Sequence, residues 1–172
     1  MRILPFIITE NDLNLRLLRT LVIINNLAYS ARKRPILTIE KIAIYDYLLM
    51  YPAVLSDILK ISNSKKKLEL EQYEYYNMEA NLNNRESIYN FELLNKIIQV
   101  LISYHYIEII NDSEILYIPS NKGLSFVDAL NSDYSKRINY LTEFLLDMRS
   151  LNFSKINDLI NKSFERMNEY EW

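Results

Sequence analysis

Few side chains in this sequence could carry out catalysis or bind a metal ion. The 172 residues include one histidine, His105, one glycine, Gly123, and no cysteine. A chain without cysteine has no disulfide framework, thiolate zinc site or thiol nucleophile, and one histidine cannot form a two-histidine metal clasp. One glycine cannot supply the glycine-rich loop of a Walker-type or dinucleotide-binding enzyme. We therefore predict no catalytic residue, no metal site and no cofactor, and an enzyme that uses carboxylates or tyrosines is only a third hypothesis.

Two features that could mimic an active site have simpler interpretations. His105 ends a strongly apolar segment, and no nucleophile or orienting group is recognisable for it, so we interpret it as a partly buried structural histidine. The second feature is a group of glutamates whose spacing matches no compact metal-binding loop, which indicates a solvated segment. These residues are Glu69, Glu71, Glu74 and Glu79.

Asp46 is the most informative single residue, because it interrupts an otherwise apolar stretch over residues 44–49. A buried carboxylate persists only when it is paired or hydrogen-bonded. Its partner is either inside the chain, an arginine or a helix N-terminus, which we favour, or on another subunit. Tyrosine is enriched at protein interfaces, so the neighbouring tyrosines join Asp46 as candidate partner-binding residues. The candidates are Tyr45, Asp46, Tyr47 and Tyr51.

The charge balance argues against strong binding to nucleic acid. Lysine and arginine total 20 against 22 aspartates and glutamates, a net charge of -2, whereas a duplex-binding module usually has a basic excess. Two short basic runs, 32–34 and 65–67, are the exceptions. No stretch approaches the roughly 18–20 uninterrupted apolar residues that span a bilayer, and the N-terminus does not resemble a signal peptide. We expect a cytoplasmic protein without membrane association.

The first third of the chain predicts an arm and two or three helices. A short apolar run at residues 3–8 predicts a strand or extended arm, and apolar residues at helical spacing then predict a helix from 13 to 28. Asp12 or the residue before it would cap this helix. Thr38 is a suitable N-cap for a second helix that runs towards Pro52, where the chain either kinks or begins a new helix.

The middle of the chain combines a weak segment, a strong helix and a hairpin. Residues 62–86 predict a loop with one marginal helical piece, and residues 86–105 predict a helix with Ser87 near its start. Two β-branched and aromatic runs within 104–118, separated by turn-forming residues, predict a β-hairpin. We expect Gly123 to mark the exit from this hairpin into a short helix, as a matter of backbone geometry.

This order of elements is typical of a winged helix. We predict a mostly α fold with a small β-hairpin, a winged-helix-like domain with extra N-terminal and C-terminal helices. Residues 1–131 would form the core, with the hairpin as its wing, and residues 132–172 a C-terminal helical extension packed on or adjoining the core.

A winged-helix DNA-binding transcriptional regulator is therefore the alternative function. The predicted recognition helix is poorly suited to it, because residues 85–104 carry two basic and two acidic side chains. A groove-binding helix ordinarily combines base-contacting side chains with cations for the phosphates. Asp112 and Glu114 at the predicted wing tip would also approach the phosphate backbone. We expect any direct DNA contact to be weak.

Three segments carry a resemblance to a known family. Residues 37–52 contain an aliphatic-aromatic-Asp-aromatic-Leu-Leu core, which ends in the sequence YDYLL, residues 94–109 lead into the strand pair, and residues 122–127, KGLSFV, turn into the next helix. Over residues 10–150 the chain resembles the middle component of ABC-three-component systems and the similar accessory subunit of Lamassu anti-phage defence complexes. Residues 62–86 match nothing in that family.

The resemblance implies a non-catalytic adaptor that works in a hetero-oligomer. Such a subunit would bind an ABC ATPase of the SMC-like, chromosome-maintenance class. It would also help to hold an effector, such as a nuclease, inactive until foreign DNA is sensed.

Overall fold

The computed structural model describes residues 12–76 and 88–169 and confirms a mostly helical fold with one two-stranded antiparallel hairpin. The predicted strand or arm at residues 3–8 lies outside the described residues. The helices are α1 (Leu13–Leu27), α2 (Ile39–Met50), α3 (Pro52–Ile61), α4 (Gln72–Tyr76), α5 (Phe91–Ser103), α6 (Asn121–Asp128), α7 (Asp133–Leu145) and α8 (Phe153–Glu169). The strands are β1 (Ile107–Asn111) and β2 (Ile115–Pro119), and a short 3-10 turn follows α7 at Leu146–Met148.

The first three helices begin at the residues that local chemistry favours. The Asp12 carboxylate accepts hydrogen bonds from the amides of Asn14 and Leu15 at 2.9 and 3.3 Å, which satisfies two free donors of α1. Thr38 caps α2 in the same way. Pro52 begins α3 instead of kinking α2, because a proline in the first helical turn removes no helical hydrogen bond. The axis bends by 105° between the two helices.

Two predicted boundaries were wrong. Helix α5 begins at Phe91 and not at residue 86, because the side chain of Asn90 accepts the amide of Leu93 and caps the helix there. The predicted cap, Ser87, lies outside the described residues. Helix α6 begins at Asn121 and has Ser120 as its N-cap, so Gly123 lies inside the first turn of this helix and not before it.

The described part of the weak segment contains one short helix, α4, as predicted. Its Glu74 is not solvated, because the residue is only 5% exposed. Arg137 of α7 donates two hydrogen bonds to the Glu74 carboxylate, from Nε at 3.0 Å and from Nη2 at 2.5 Å. This bidentate ion pair holds α4 against α7.

The hairpin has a regular register of five residue pairs, from Ile107 opposite Pro119 to Asn111 opposite Ile115. Strand β2 is covered on its outer side, since the amide of Tyr117 donates to the carbonyl of Leu37 at 2.9 Å. The hairpin is therefore joined by backbone hydrogen bonding to the turn that precedes α2.

One hydrophobic cluster contains buried residues from α1, α2, α3, α5, α7 and α8 and from both strands. Helix α7 packs against α1, and α8 packs against α3 and α2. The C-terminal helices thus complete the same core that the N-terminal helices begin.

Within the described residues, no single helix has both the length and the hydropathy that a bilayer crossing requires. Helices α2 and α3 meet that test only as a pair, and the 105° bend separates them.

Candidate partner-binding site

The four residues predicted to meet a partner lie in the core. Tyr45 is 0% exposed, Asp46 2%, Tyr47 1% and Tyr51 2%. In this conformation their side chains present almost no surface to another protein. Direct contact with a partner stays a prediction, and it would require α2 to be uncovered.

Asp46 has its partners inside the chain, which confirms the intrachain interpretation. Arg19 Nε donates to one carboxylate oxygen at 2.5 Å, and Arg16 Nε lies 3.2 Å from the other. The two arginines are one helical turn apart on α1, so both can face the same residue on α2. This cluster joins the first two helices of the fold.

The cluster extends to α7 through Tyr134. Arg19 Nη1 donates to the Tyr134 hydroxyl at 3.2 Å, and that hydroxyl lies 3.4 Å from the carbonyl of Leu15. Burial alone would lower the pKa of Arg19, but the Asp46 carboxylate outweighs burial and raises it. Burial raises the pKa of Tyr134, against the opposing effect of the Arg19 charge. Arg19 and Tyr134 therefore keep their ordinary ionisation states.

The Tyr45 hydroxyl makes no hydrogen bond among the described residues. Burial raises the pKa of this hydroxyl well above its ordinary value. The Tyr47 and Tyr51 rings meet edge to face, with their centroids 4.8 Å apart. The tyrosines of this motif thus fill the core at the bend between α2 and α3.

His105 is exposed, so its interpretation as a partly buried residue was wrong. It follows α5 with φ at 59°, a left-handed conformation. The amide of His105 donates to the carbonyl of Ile102 at 2.8 Å and the amide of Tyr106 donates to that of Leu101 at 2.9 Å. This is the Schellman arrangement that ends many helices, usually with glycine at the left-handed position. His105 therefore serves to stop α5.

Gly123 allows α6 to approach the end of α5 closely. A Cβ atom built on Gly123 would lie 2.0 Å from the carbonyl oxygen of Tyr106, a backbone atom that cannot yield easily. Ser120 joins the two segments, because its hydroxyl donates to the His105 carbonyl at 2.6 Å and accepts the Gly123 amide at 3.0 Å. Lys122 adds a bond to the Tyr104 carbonyl at 2.8 Å.

Sequence reasoning missed an aromatic surface beside this junction, which we call the aromatic patch: Tyr104, Tyr106, Phe126 and Lys122. The rings of Tyr104 and Tyr106 stack at 6.1 Å, and Phe126 lies 4.9 Å from Tyr106. The Lys122 ammonium lies 4.8 Å from the centre of the Tyr106 ring. Tyr104 is 58% exposed and Phe126 38%, so part of the patch faces solvent. In the sequence, the two tyrosines that flank His105 were the one indication of this patch.

The outward side of α5 carries little net charge. Lys96 and Glu92 pair with each other at 2.6 Å, and both are exposed. Asn95 and Gln99 are exposed beside them. This surface presents the side-chain amides of Asn95 and Gln99 to a partner, whereas the charge of Lys96 is paired with Glu92.

The residues that the structure describes bring no three histidine, cysteine, aspartate or glutamate side chains together as metal ligands. Of the glutamate group, Glu69 and Glu71 are exposed and Glu74 is taken up by Arg137. Glu79 lies outside the described residues.

A comparison with protein-family models assigns the chain to a family. The family model described as ABC-three component (ABC-3C) system Middle Component 4 matches residues 27–158. The chain belongs to this family. The predicted resemblance to a middle component is thereby confirmed at the family level. No curated protein and no solved structure matches the chain.

The matched region of this middle component runs from the end of α1 into α8. It includes Asp46, the hairpin and the aromatic patch, but Arg16 and Arg19 precede it. The ion pair that holds α2 in place thus connects the family region to the helix that comes before it.

Proposed function

We propose that this chain is a non-catalytic accessory subunit of a cytoplasmic anti-phage defence complex of the Lamassu type. The observation that carries the proposal is the match to the Middle Component 4 family over residues 27–158. A middle component is one part of a three-component system by its description, so its activity depends on other proteins.

The structure supports an adaptor that acts through protein contacts. The two carboxylates that are buried among the described residues form ion pairs within the chain, Asp46 with Arg19 and Glu74 with Arg137. The aromatic patch leaves tyrosine, phenylalanine and lysine side chains at the surface, and aromatic residues are enriched at protein interfaces.

The partners in this proposal are an ABC ATPase of the SMC-like class and an effector such as a nuclease. The subunit binds the ATPase and helps to couple its sensing of foreign DNA to the control of the effector. A winged-helix-like arrangement of α5, the hairpin and α6 suits such an accessory role, and it is part of the proposal.

Co-expression tests the proposal. A tagged chain produced together with the ABC ATPase and the effector encoded beside it should retain the ATPase through affinity purification and size-exclusion chromatography. A stable monomer that elutes apart from that ATPase would overturn the proposal. Repeating the purification at 0.5 M salt separates a specific complex from weak charge attraction, because salt screens exposed charges.

The alternative, a winged-helix transcriptional regulator, has one supporting observation, the order of α5, hairpin and α6. The paired charges of Glu92 and Lys96 and the acidic Asp112 and Glu114 at the hairpin end weigh against it. An electrophoretic shift with the gene's own promoter at several salt concentrations tests it. A regulator should show a shift that weakens steeply with salt, and no shift would exclude this function.

A further inference from the structure

Among the residues that the structure describes, the outer edge of strand β1 has no backbone partner. The Tyr117 amide donates to Leu37, away from β1, so Tyr117 and its opposite residue Ile109 form a pair whose backbone groups point outward. Asn111, two residues further, has the same orientation. Within the described residues, neither Ile109 nor Asn111 has a hydrogen bond on that outer side.

The protection of this edge against pairing is limited to the short length of the strand and one charged side chain, Glu108. Natural sheets blunt exposed edges with short strands, charged residues, proline, bulges or a covering element. Ile107–Asn111 contains neither proline nor lysine, and its register with β2 has no bulge. The opposite edge of the hairpin, by contrast, is covered at Leu37. Within residues 12–76 and 88–169, one edge of the hairpin is thus covered and the other is not.

Two exposed isoleucines lie next to the open edge. Ile109 is 45% exposed and Ile115 54%. Ile109 is opposite Tyr117 and Ile115 is opposite Asn111, so the two isoleucines are diagonal neighbours on one face of the hairpin. A strand added beside β1 would cover the Ile109 side chain. It would thus make apolar contacts and backbone hydrogen bonds at the same residue.

The net negative charge of the hairpin favours an added strand with positive charge. Residues 107–119 carry three acidic side chains, Glu108, Asp112 and Glu114, and no lysine or arginine. The ammonium of Lys41 partly neutralises the charge of Glu114. Burial lowers the pKa of Lys41, and the nearby Glu114 carboxylate opposes this shift. Two copies of the hairpin would repel each other, whereas a segment with lysine or arginine would be attracted.

We propose that the outer edge of β1 binds an extended apolar and basic segment of another component of the system, which adds as a third strand. This inference rests on the proposed function, and it names the surface and the chemistry of the contact. Main-chain hydrogen bonds to Ile109 and Asn111 supply the attachment, and the acidic hairpin side chains supply selectivity.

Ile109→Pro is the decisive variant. The Ile109 amide points outward, so proline removes a donor for the added strand without removing a bond of the β1–β2 ladder. Ile109→Val is the matched control, because it keeps the amide and the branched side chain. Glu108→Lys with Asp112→Lys tests the charge, and its control is Asp158→Lys, an exposed aspartate on α8.

The measurement is co-purification of each variant with the other two components, together with amide hydrogen exchange of the wild-type complex. We expect at least tenfold weaker retention for Ile109→Pro and for the charge variant, and unchanged retention for both controls. In the wild-type complex the amides of Ile109 and Asn111 should exchange at least tenfold more slowly than in the free subunit.

Each remaining outcome decides against one claim or both. Wild-type binding with equal retention of Ile109→Pro and unchanged exchange at Ile109 would overturn this inference and leave the proposed function intact. Failure of the wild type to bind any component would overturn both. If Ile109→Pro unfolds the hairpin by circular dichroism, the exchange rate of the Ile109 amide in the wild-type complex decides.

Discussion

Arg19 and Asp46 form an ion pair in the interior of the molecule, with side chains 2% and 3% exposed and Nε 2.5 Å from Oδ1. The pair joins α1 to α2 across 27 residues of sequence. Both ions have lost their hydration, so Arg19 without Asp46 would be an uncompensated buried charge. Asp46, one of the candidate partner-binding residues, is thus paired within its own chain.

Asp46→Ala should destabilise the isolated subunit strongly. Removal of one member of a buried pair costs about 3–5 kcal/mol, and at this chain length about 1 kcal/mol lowers Tm by about 2–4 °C. We expect Tm to fall by about 10 °C in thermal unfolding followed by circular dichroism. Asp158→Ala on the exposed side of α8 should change the free energy of unfolding by less than about 0.5 kcal/mol. An Asp46→Ala protein with wild-type Tm and lost partner binding would instead assign Asp46 to an interface.

Gly123→Ala should destabilise the junction of α5 and α6, although alanine is the better helix former. The added Cβ would lie 2.0 Å from the Tyr106 carbonyl oxygen, which forces the backbones apart. Overpacking of this kind costs about 1–3 kcal/mol. Denaturant unfolding measures the loss, and Ser125→Ala in the exposed part of α6 is the control, with an expected change near zero. Equal stability of the two variants would show that the helices separate without cost.

Tyr45→Phe should stabilise the protein and alter its response to alkali. The Tyr45 hydroxyl is buried without a hydrogen-bond partner among the described residues, so its removal should gain about 1 kcal/mol at pH 7. Burial raises the pKa of Tyr45 in the folded state, whereas an unfolded tyrosine titrates near pH 10. The titration of Tyr45 therefore leaves the free energy of unfolding unchanged below about pH 10 and lowers it as pH rises further.

Urea unfolding at pH 7 and pH 11 measures both effects. The advantage of Tyr45→Phe over wild type should be larger at pH 11, because phenylalanine cannot lose a proton. Tyr104→Phe, a change at an exposed position, is the control and should alter the free energy of unfolding at pH 7 by less than about 0.5 kcal/mol. An advantage that is equal at both pH values would contradict the assignment of the alkaline loss to Tyr45.

Arg137→Ala should release residues 69–76 from α7. The variant removes both bonds to Glu74 and the bond to the carbonyl of Glu69 at 2.9 Å. Limited trypsin digestion should cut after Lys66 or Lys67 several-fold faster than in wild type. Lys136→Ala, the exposed neighbour on α7, should digest at the wild-type rate. Unchanged cleavage in Arg137→Ala would mean that other contacts hold the segment.

The sequence predicted correctly those features of the fold that depend on residues close together in the chain. Asp12 and Thr38 cap the helices that they precede, and Pro52 begins α3. Asp112 and Ser113 lie between the two strands as predicted, whereas Asn111, also predicted in the turn, is the last residue of β1. These features follow from backbone chemistry within a few residues, so periodicity and capping preferences are sufficient to predict them.

The candidate site could not be predicted to the same extent, because its contacts are distant in sequence. Arg137 lies 63 residues from Glu74, and only the folded chain shows that this pair removes a glutamate from solvent. His105 reached the surface because the left-handed turn after α5 directs it there, and an apolar sequence context does not reveal that turn. The bond from Tyr117 to Leu37 joins the hairpin to a segment about 80 residues earlier in the chain, and no local pattern predicts it.

Three residues other than glycine adopt left-handed conformations in the described ranges, Lys33, Asn63 and His105, with φ of 57°, 52° and 59°. Glycine would relax such turns, but it would also give the denatured chain more conformations to lose on folding. A chain with one glycine therefore accepts local strain at its surface turns and begins folding from a stiffer, lower-entropy ensemble. Its scarcity of glycine is a property of the unfolded state as much as of the native one.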